Sequence, residues 1–107
     1  MQVTILPSAE RAIAEIWLYT DRVWGEGQAD AYVEGLCEAV LQVAAQRHRW
    51  KRVDDKIAPG VLYFRYEHHF VFFRQLSRTR LGIISVLHES MDIPHRLLDD
   101  LDDPSSE

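Results

Sequence analysis

A single cysteine, Cys37, stands among 107 residues, so no disulfide can form within the chain and a Cys-rich zinc site is excluded. No apolar run approaches the roughly 20 residues that a membrane-spanning helix needs. The first residues enter a short apolar strand rather than anything resembling a secretory leader. The expected setting is therefore soluble and cytoplasmic. Glycine and proline are sparse, at five and four, and no glycine-rich loop precedes a helix in phosphate-binding fashion. No Ser–His–Asp arrangement is readable either. What remains is 47% hydrophobic residues, enough for one modest core in a single small domain.

The net charge of −5 hides an uneven distribution. Residues 1–46 hold two arginines against seven acids, whereas residues 47–80 hold nine Lys/Arg against three acids. From Asp99 onward there are five acids and no base. An acidic front, a basic middle and an acidic tail follow. The basic middle can meet an acidic partner segment or a phosphate backbone, or it can be a solvated loop and hairpin.

Val3 to Leu6 reads as a first strand stopped by Pro7, with Ser8 placed to cap the helix that follows. Ile13, Ile16, Trp17, Thr20 and Trp24 recur at three- and four-residue steps, the spacing of one buried stripe. Gly25 falls where a left-handed cap would end that helix. A second helix is expected over 28–46, its stripe formed by Tyr32, Leu36, Val40, Val43 and Ala44 and widened by Val33, Cys37 and Leu41. Two amphipathic helices joined by a short glycine turn predict an antiparallel hairpin. Cys37 reads as a small core residue.

Periodicity is absent over 47–60, which reads as a loop. Strands are expected at 61–66, 70–76 and 81–88, each rich in β-branched and aromatic residues. A short last helix over 95–101 follows Pro94. Its face of Ile93, Leu97, Leu98 and Leu101 either packs on the sheet or meets a partner. The fold class is therefore α+β, strand–helix–helix–three strands–helix, with the hairpin on one face of a mostly antiparallel sheet. The domain spans 1–101 and an acidic tail 102–107.

His68, His69 and His88 raise the question of a metal. Neighbouring strand residues point to opposite faces, so His68 and His69 cannot share one ion without a bulge or turn. No cysteine or paired carboxylate completes a set, and neither a metal nor another cofactor is expected.

Two phrases on consecutive strands carry a family resemblance. One is Glu67-His68-His69-Phe70-Val71-Phe72; the other is Val86-Leu87-His88-Glu89-Ser90-Met91-Asp92, followed by Arg96-Leu97. The hairpin adds Tyr19-Thr20, Trp24-Gly25, Gln28-Ala29 and Tyr32. In this order the chain resembles the ParE toxins, within the wider ParE/RelE superfamily of bacterial toxin–antitoxin systems. The resemblance implies a non-catalytic inhibitor of DNA gyrase that blocks replication. It also implies neutralisation by a ParD-like antitoxin, with operator DNA reached only through that antitoxin. It directs Glu67, His68, His69, His88, Met91, Asp92 and Arg96 toward the target. For the antitoxin it suggests Ile13, Trp17, Trp24, Tyr32, Leu36, Arg65 and Arg74. The third-from-last strand departs from the family pattern, reading Val61-Leu62-Tyr63-Phe64 with its arginine displaced to Arg65.

The other branch of the superfamily, the RelE-type ribosome-dependent mRNA interferases, would need groups for a base, an acid and phosphate stabilisation. Arg65, Arg74 and His88 are the candidates. Glu89-Ser90-Met91-Asp92 supplies no tyrosine, however, and the acidic tail would repel an RNA backbone. A degenerate toxin that keeps only its antitoxin is a third reading.

Overall fold

Pro7 decides where the first helix begins. Its fixed φ suits the first helical position, and the helix α1 spans Pro7–Trp24 with Leu6 as its N-cap. Ser8 is therefore not the cap expected from sequence. It lies inside the first turn, buried, with its hydroxyl donating to the Ile84 carbonyl at 2.5 Å. The computed structural model describes residues 1–102. Around α1 it places β1 (Gln2–Ile5), α2 (Glu26–Ala44), a 3-10 turn (Arg47–Arg49) and β2 (Lys51–Arg52). Then come β3 (Leu62–Tyr66), β4 (His69–Gln75), β5 (Arg80–His88) and α3 (Ile93–Leu101). This is the α+β order expected, with a short turn and strand where a plain loop was read. Asp102 closes the C-terminal end of α3; the rest of the acidic tail lies outside the described residues.

Gly25 alone turns the chain between the helices. Its φ of 96° is open to glycine and strained for other residues. Its N–H bonds to the Asp21 carbonyl at 2.9 Å, while its own carbonyl accepts from Ala29 at 3.1 Å. The second helix consequently starts two residues earlier than its apolar periodicity suggests, with Gly27 inside its first turn. Trp17 locks the hairpin by donating its indole N–H to Asp30 at 2.9 Å. Gly35 is needed for another reason: a Cβ there would collide with the Tyr66 hydroxyl of β3.

The sheet order is β1-β5-β4-β3-β2. β1 runs parallel to β5, and every other pairing is antiparallel. The hairpin covers one face through Leu36, Val40, Val43, Phe64, Val71 and Phe73. The opposite face is closed by α3 and the segment before β3, with Leu97, Ala58, Val61 and Phe72 in its centre. So α3 packs on its own sheet: Leu97 is 1% exposed, while Leu98 faces water. Two expected stripe members are also on the outside, Trp24 at 71% and Leu41 at 62% exposure. Cys37, expected in the core, is half-buried beside it, and burial pushes its thiol up.

A bulge shapes β5. Phe72 faces Ser85 and Phe73 faces Ile83, leaving Ile84 as the extra residue. A bulge turns two successive residues toward the same side. Ile84 joins the α3-side core, and Ser85 reaches Asp100 of α3 through a short hydrogen bond. Val86 is thereby returned to the hairpin-side core with Leu81 and Ile83.

Candidate functional site

The first strand is too short to cover the fifth. β1 pairs with β5 only from Arg80 to Ile83, and the first turn of α1 then takes the Ile83 and Ile84 carbonyls through the Leu6 N–H and the Ser8 hydroxyl. Past that point no described strand lies on the outer side of β5. The uncovered half forms the floor of a groove of about 800 Å³. One wall is α1, with Tyr19 and Trp24 toward its end; the other is the segment after β5 and α3, with Met91 and Arg96. Tyr32 of α2 and the three histidines close its end.

That end is built on a two-residue turn. Tyr66 pairs with His69, so Glu67 and His68 make the connection, Glu67 with a left-handed φ of 51°. Such a conformation is uncommon for a residue with a side chain. Arg65 holds it by donating to the Glu67 carbonyl at 2.8 Å. The same guanidinium makes a short ion pair with Glu89, and Glu89 also bonds Nδ1 of His68 at 3.1 Å. The His68 contact first, then Arg65, holds the exposed Glu89 carboxyl below its usual range.

Because of this turn, His68 and His69 both approach His88, at ring-centroid separations of 6.2 and 5.1 Å. The strict alternation expected from sequence does not apply there. The rings nevertheless do not converge on an ion. Nδ1 of His69 bonds the Tyr32 hydroxyl at 2.6 Å. Nδ1 of His88 accepts the Ser90 N–H at 3.1 Å and contacts the Ser90 hydroxyl at 2.7 Å. Among the described residues no group of three His, Cys, Asp or Glu side chains could hold a metal. Burial, reinforced by His88 and His68, holds the His69 imidazole down at about 4. Burial likewise pushes the Tyr32 phenol up to about 12. The pair is thus neutral across the physiological range.

Of the residues singled out for a target, His68, His69, His88, Met91 and Arg96 line the groove. Glu67 is in the turn behind it, and Asp92 caps α3 by accepting the His95 N–H at 3.4 Å. Of those singled out for an antitoxin, Trp24 and Tyr32 line the same groove. Ile13 packs against the core, and Trp17 is half-buried in the hairpin. Leu36 is 0% exposed, so it has no area to offer a partner and its assignment is corrected to core. Arg65 is engaged as described. Arg74 sits beside Gly82, five residues along β4 from His69. Sequence reasoning assigned no site role to Arg11, Glu15 and Tyr19 on α1 or Asp100 on α3, which line the groove; the available signals were the i, i+4 spacing of Arg11, Glu15 and Tyr19 and the place of Tyr19 in the family phrase.

No helix among the described residues is long and apolar enough to cross a membrane. The chain is similar to Toxin ParE1 of Mycobacterium tuberculosis, at 33% identity over 85% of this chain and 92% of the relative. It is 32% identical to Toxin ParE of Escherichia coli over 87% of this chain and 89% of that one. A solved structure described as the chromosomal ParDE TA system from P. aeruginosa shares the fold, with a TM-score of 0.69 and 20% identity over 82% of this chain and 95% of that one. The family model for the ParE toxin of the type II toxin–antitoxin system parDE matches residues 3–93. The chain therefore belongs to the ParE toxin family of type II toxin–antitoxin systems.

Proposed function

We propose that the groove receives the C-terminal segment of a ParD-like antitoxin, and that the freed toxin acts as a non-catalytic inhibitor of DNA gyrase in the bacterial cytoplasm. The observation that carries the first part is the uncovered half of β5. Its outer backbone groups lie between two walls bearing exposed Tyr19, Trp24 and Met91. An extended segment can add to such an edge through main-chain bonds while its side chains seat against the aromatic wall. A partner that folds on docking suits a groove of this length. Operator DNA is then bound by the antitoxin's own domain. The structural likeness to a ParDE system supports the same partner class.

The inhibitor reading is supported by how the candidate ribonuclease groups are placed. Arg65 is tied to Glu67 and Glu89, His88 is tied to Ser90, and Arg74 lies far along β4. At about 3.3 Å per residue the last is more than 10 Å from the other two. Those three candidates therefore do not meet at one reacting position.

Purified toxin is to be assayed for gyrase supercoiling and DNA cleavage, beside mRNA cleavage on translating ribosomes. Accumulated linear DNA with intact mRNA is expected. Cut mRNA with normal supercoiling would sink the inhibitor reading. Growth arrest unchanged after joint substitution of His68, His88, Met91 and Arg96 would remove the groove from the toxic surface.

A further inference from the structure

Across the sheet from the groove, the chain concentrates positive charge. Between residues 47 and 56 stand Arg47, Arg49, Lys51, Arg52 and Lys56, against Asp54 and Asp55, in a protein of net charge −5. All seven side chains are exposed. Their frame is well fixed. Trp50 donates its indole N–H to the Val43 carbonyl at 2.7 Å and sets its ring edge-on to Phe73, 5.5 Å between centroids. Lys51 and Arg52 pair with Tyr63 and Leu62 as the outermost strand.

None of the five cations pairs with a carboxylate among the described residues. Arg47 lies 4.8 Å from the centre of the Trp50 ring, and Arg49 bonds the Gln46 amide at 3.2 Å. The Asp54 carboxylate accepts the Lys56 backbone N–H at 2.9 Å, which occupies it in the turn. The strip is thus solvated, with five cations against two acids and no ion pair to any of the five among the described residues.

We propose that this basic edge binds the phosphate backbone of duplex DNA. Clustered cations with no internal partner are the electrostatic footprint of a polyanion site. A single-stranded ligand would need an aromatic face for stacking, and Trp50 is half-buried with its ring and N–H both engaged. A protein partner would need an apolar anchor, and of the large hydrophobic side chains from 47 to 57 only Ile57 is exposed, at 37%. Because β2 and the groove-forming β5 lie toward opposite edges of the sheet, the strip stays accessible while the groove is filled. The site reads phosphates and no sequence.

The test is fluorescence anisotropy of the purified chain with a labelled random duplex of about 20 base pairs, from 50 to 200 mM salt. Neutralising three phosphates gives a log–log salt slope of about −2.7 and a loss of roughly 40-fold across that range. The triple variant R49Q/K51Q/R52Q is expected to flatten the slope by about one per contact removed, with its melting temperature unchanged. Equal binding by the variant, or tighter binding to single-stranded DNA or duplex RNA, would overturn the proposal. So would self-association of the variant with duplex binding unmoved, because the cations would then only blunt the sheet edge.

The duplex could be operator DNA or DNA held by a topoisomerase. A shortened nuclease footprint of the variant's toxin–antitoxin complex identifies the first source; fewer trapped cleavage complexes identify the second. The binding assay needs neither partner, so its failure is separate from failure of the groove reading.

Discussion

The Tyr32 hydroxyl stands 2.6 Å from Nδ1 of His69, joining the second helix to the first residue of β4. The Tyr32 ring also meets Tyr66 edge-on at 5.4 Å, so the hairpin is anchored at the closed end of the groove. Tyr32→Phe keeps the ring contacts and deletes the bond. A stability loss of about 1 kcal/mol is expected by urea denaturation. An unchanged midpoint would show that water replaces the bond at no cost.

His69 makes stability depend on pH with a definite sign. It takes up a proton near 4 in the folded chain and near 6.5 once unfolded, so the unfolded chain binds more protons between those values. The contribution is complete above pH 6.5 and is lost as the pH falls toward 4. Its upper bound is about 3 kcal/mol, less in proportion to the water that reaches the ring. His68, His88 and Glu89 face the same ring, so the informative quantity is a difference. His69→Gln is expected to flatten the wild-type pH profile between 6.5 and 4; parallel profiles would rule His69 out as the source.

Trp24 and Leu36 should part company in a paired measurement. Trp24→Ala removes a side chain 71% exposed and should change stability by less than about 0.5 kcal/mol. If the groove holds the antitoxin, it should weaken that complex by about 2 kcal/mol, roughly 30-fold in Kd. Leu36→Ala should do the reverse, costing about 2–5 kcal/mol of folding stability with little effect on affinity per folded molecule. Calorimetric titration of both variants with a ParD-like antitoxin decides it.

Ser85→Ala tests the bulge. Ser85 is 0% exposed, and its hydroxyl meets the Asp100 carboxylate. Losing a hydrogen bond to a charged group should cost roughly 1.5–3 kcal/mol. Amide exchange in α3 should rise more than in α2. Equal exchange in the two helices would show that the apolar contacts of Ile93, Leu97 and Leu101 suffice to hold α3 in place.

Helix and strand order was legible because each element repeats its own period. Ile13 and Ile16 announce α1, and the β-branched and aromatic runs announce β3, β4 and β5. Departures came where one local contact outweighs periodicity. Gly25 satisfies both helix ends alone, so α2 starts at Glu26. The Ile84 bulge reverses the parity of β5, and no pattern of apolar residues marks it. Trp24 satisfies the helical spacing yet is 71% exposed on the groove wall, since it is the last residue of α1, next to the glycine that ends the helix. The histidines were identifiable as a cluster from the family phrases. Their neutral pairing with Tyr32 was not, since it joins residues 37 positions apart.

The pairing of β1 with β5 also sets a timetable for synthesis. Gln2 lies beside Arg80, 78 residues later in the chain. Contacts of such long range form late, after the entropy of a large loop has been overcome. A nascent chain emerging at about 5–20 residues per second can assemble its helical hairpin early, yet its first strand has nothing to lie against until β5 leaves the ribosome. The sheet, and with it the floor of the groove, is therefore completed only after β5 has been made.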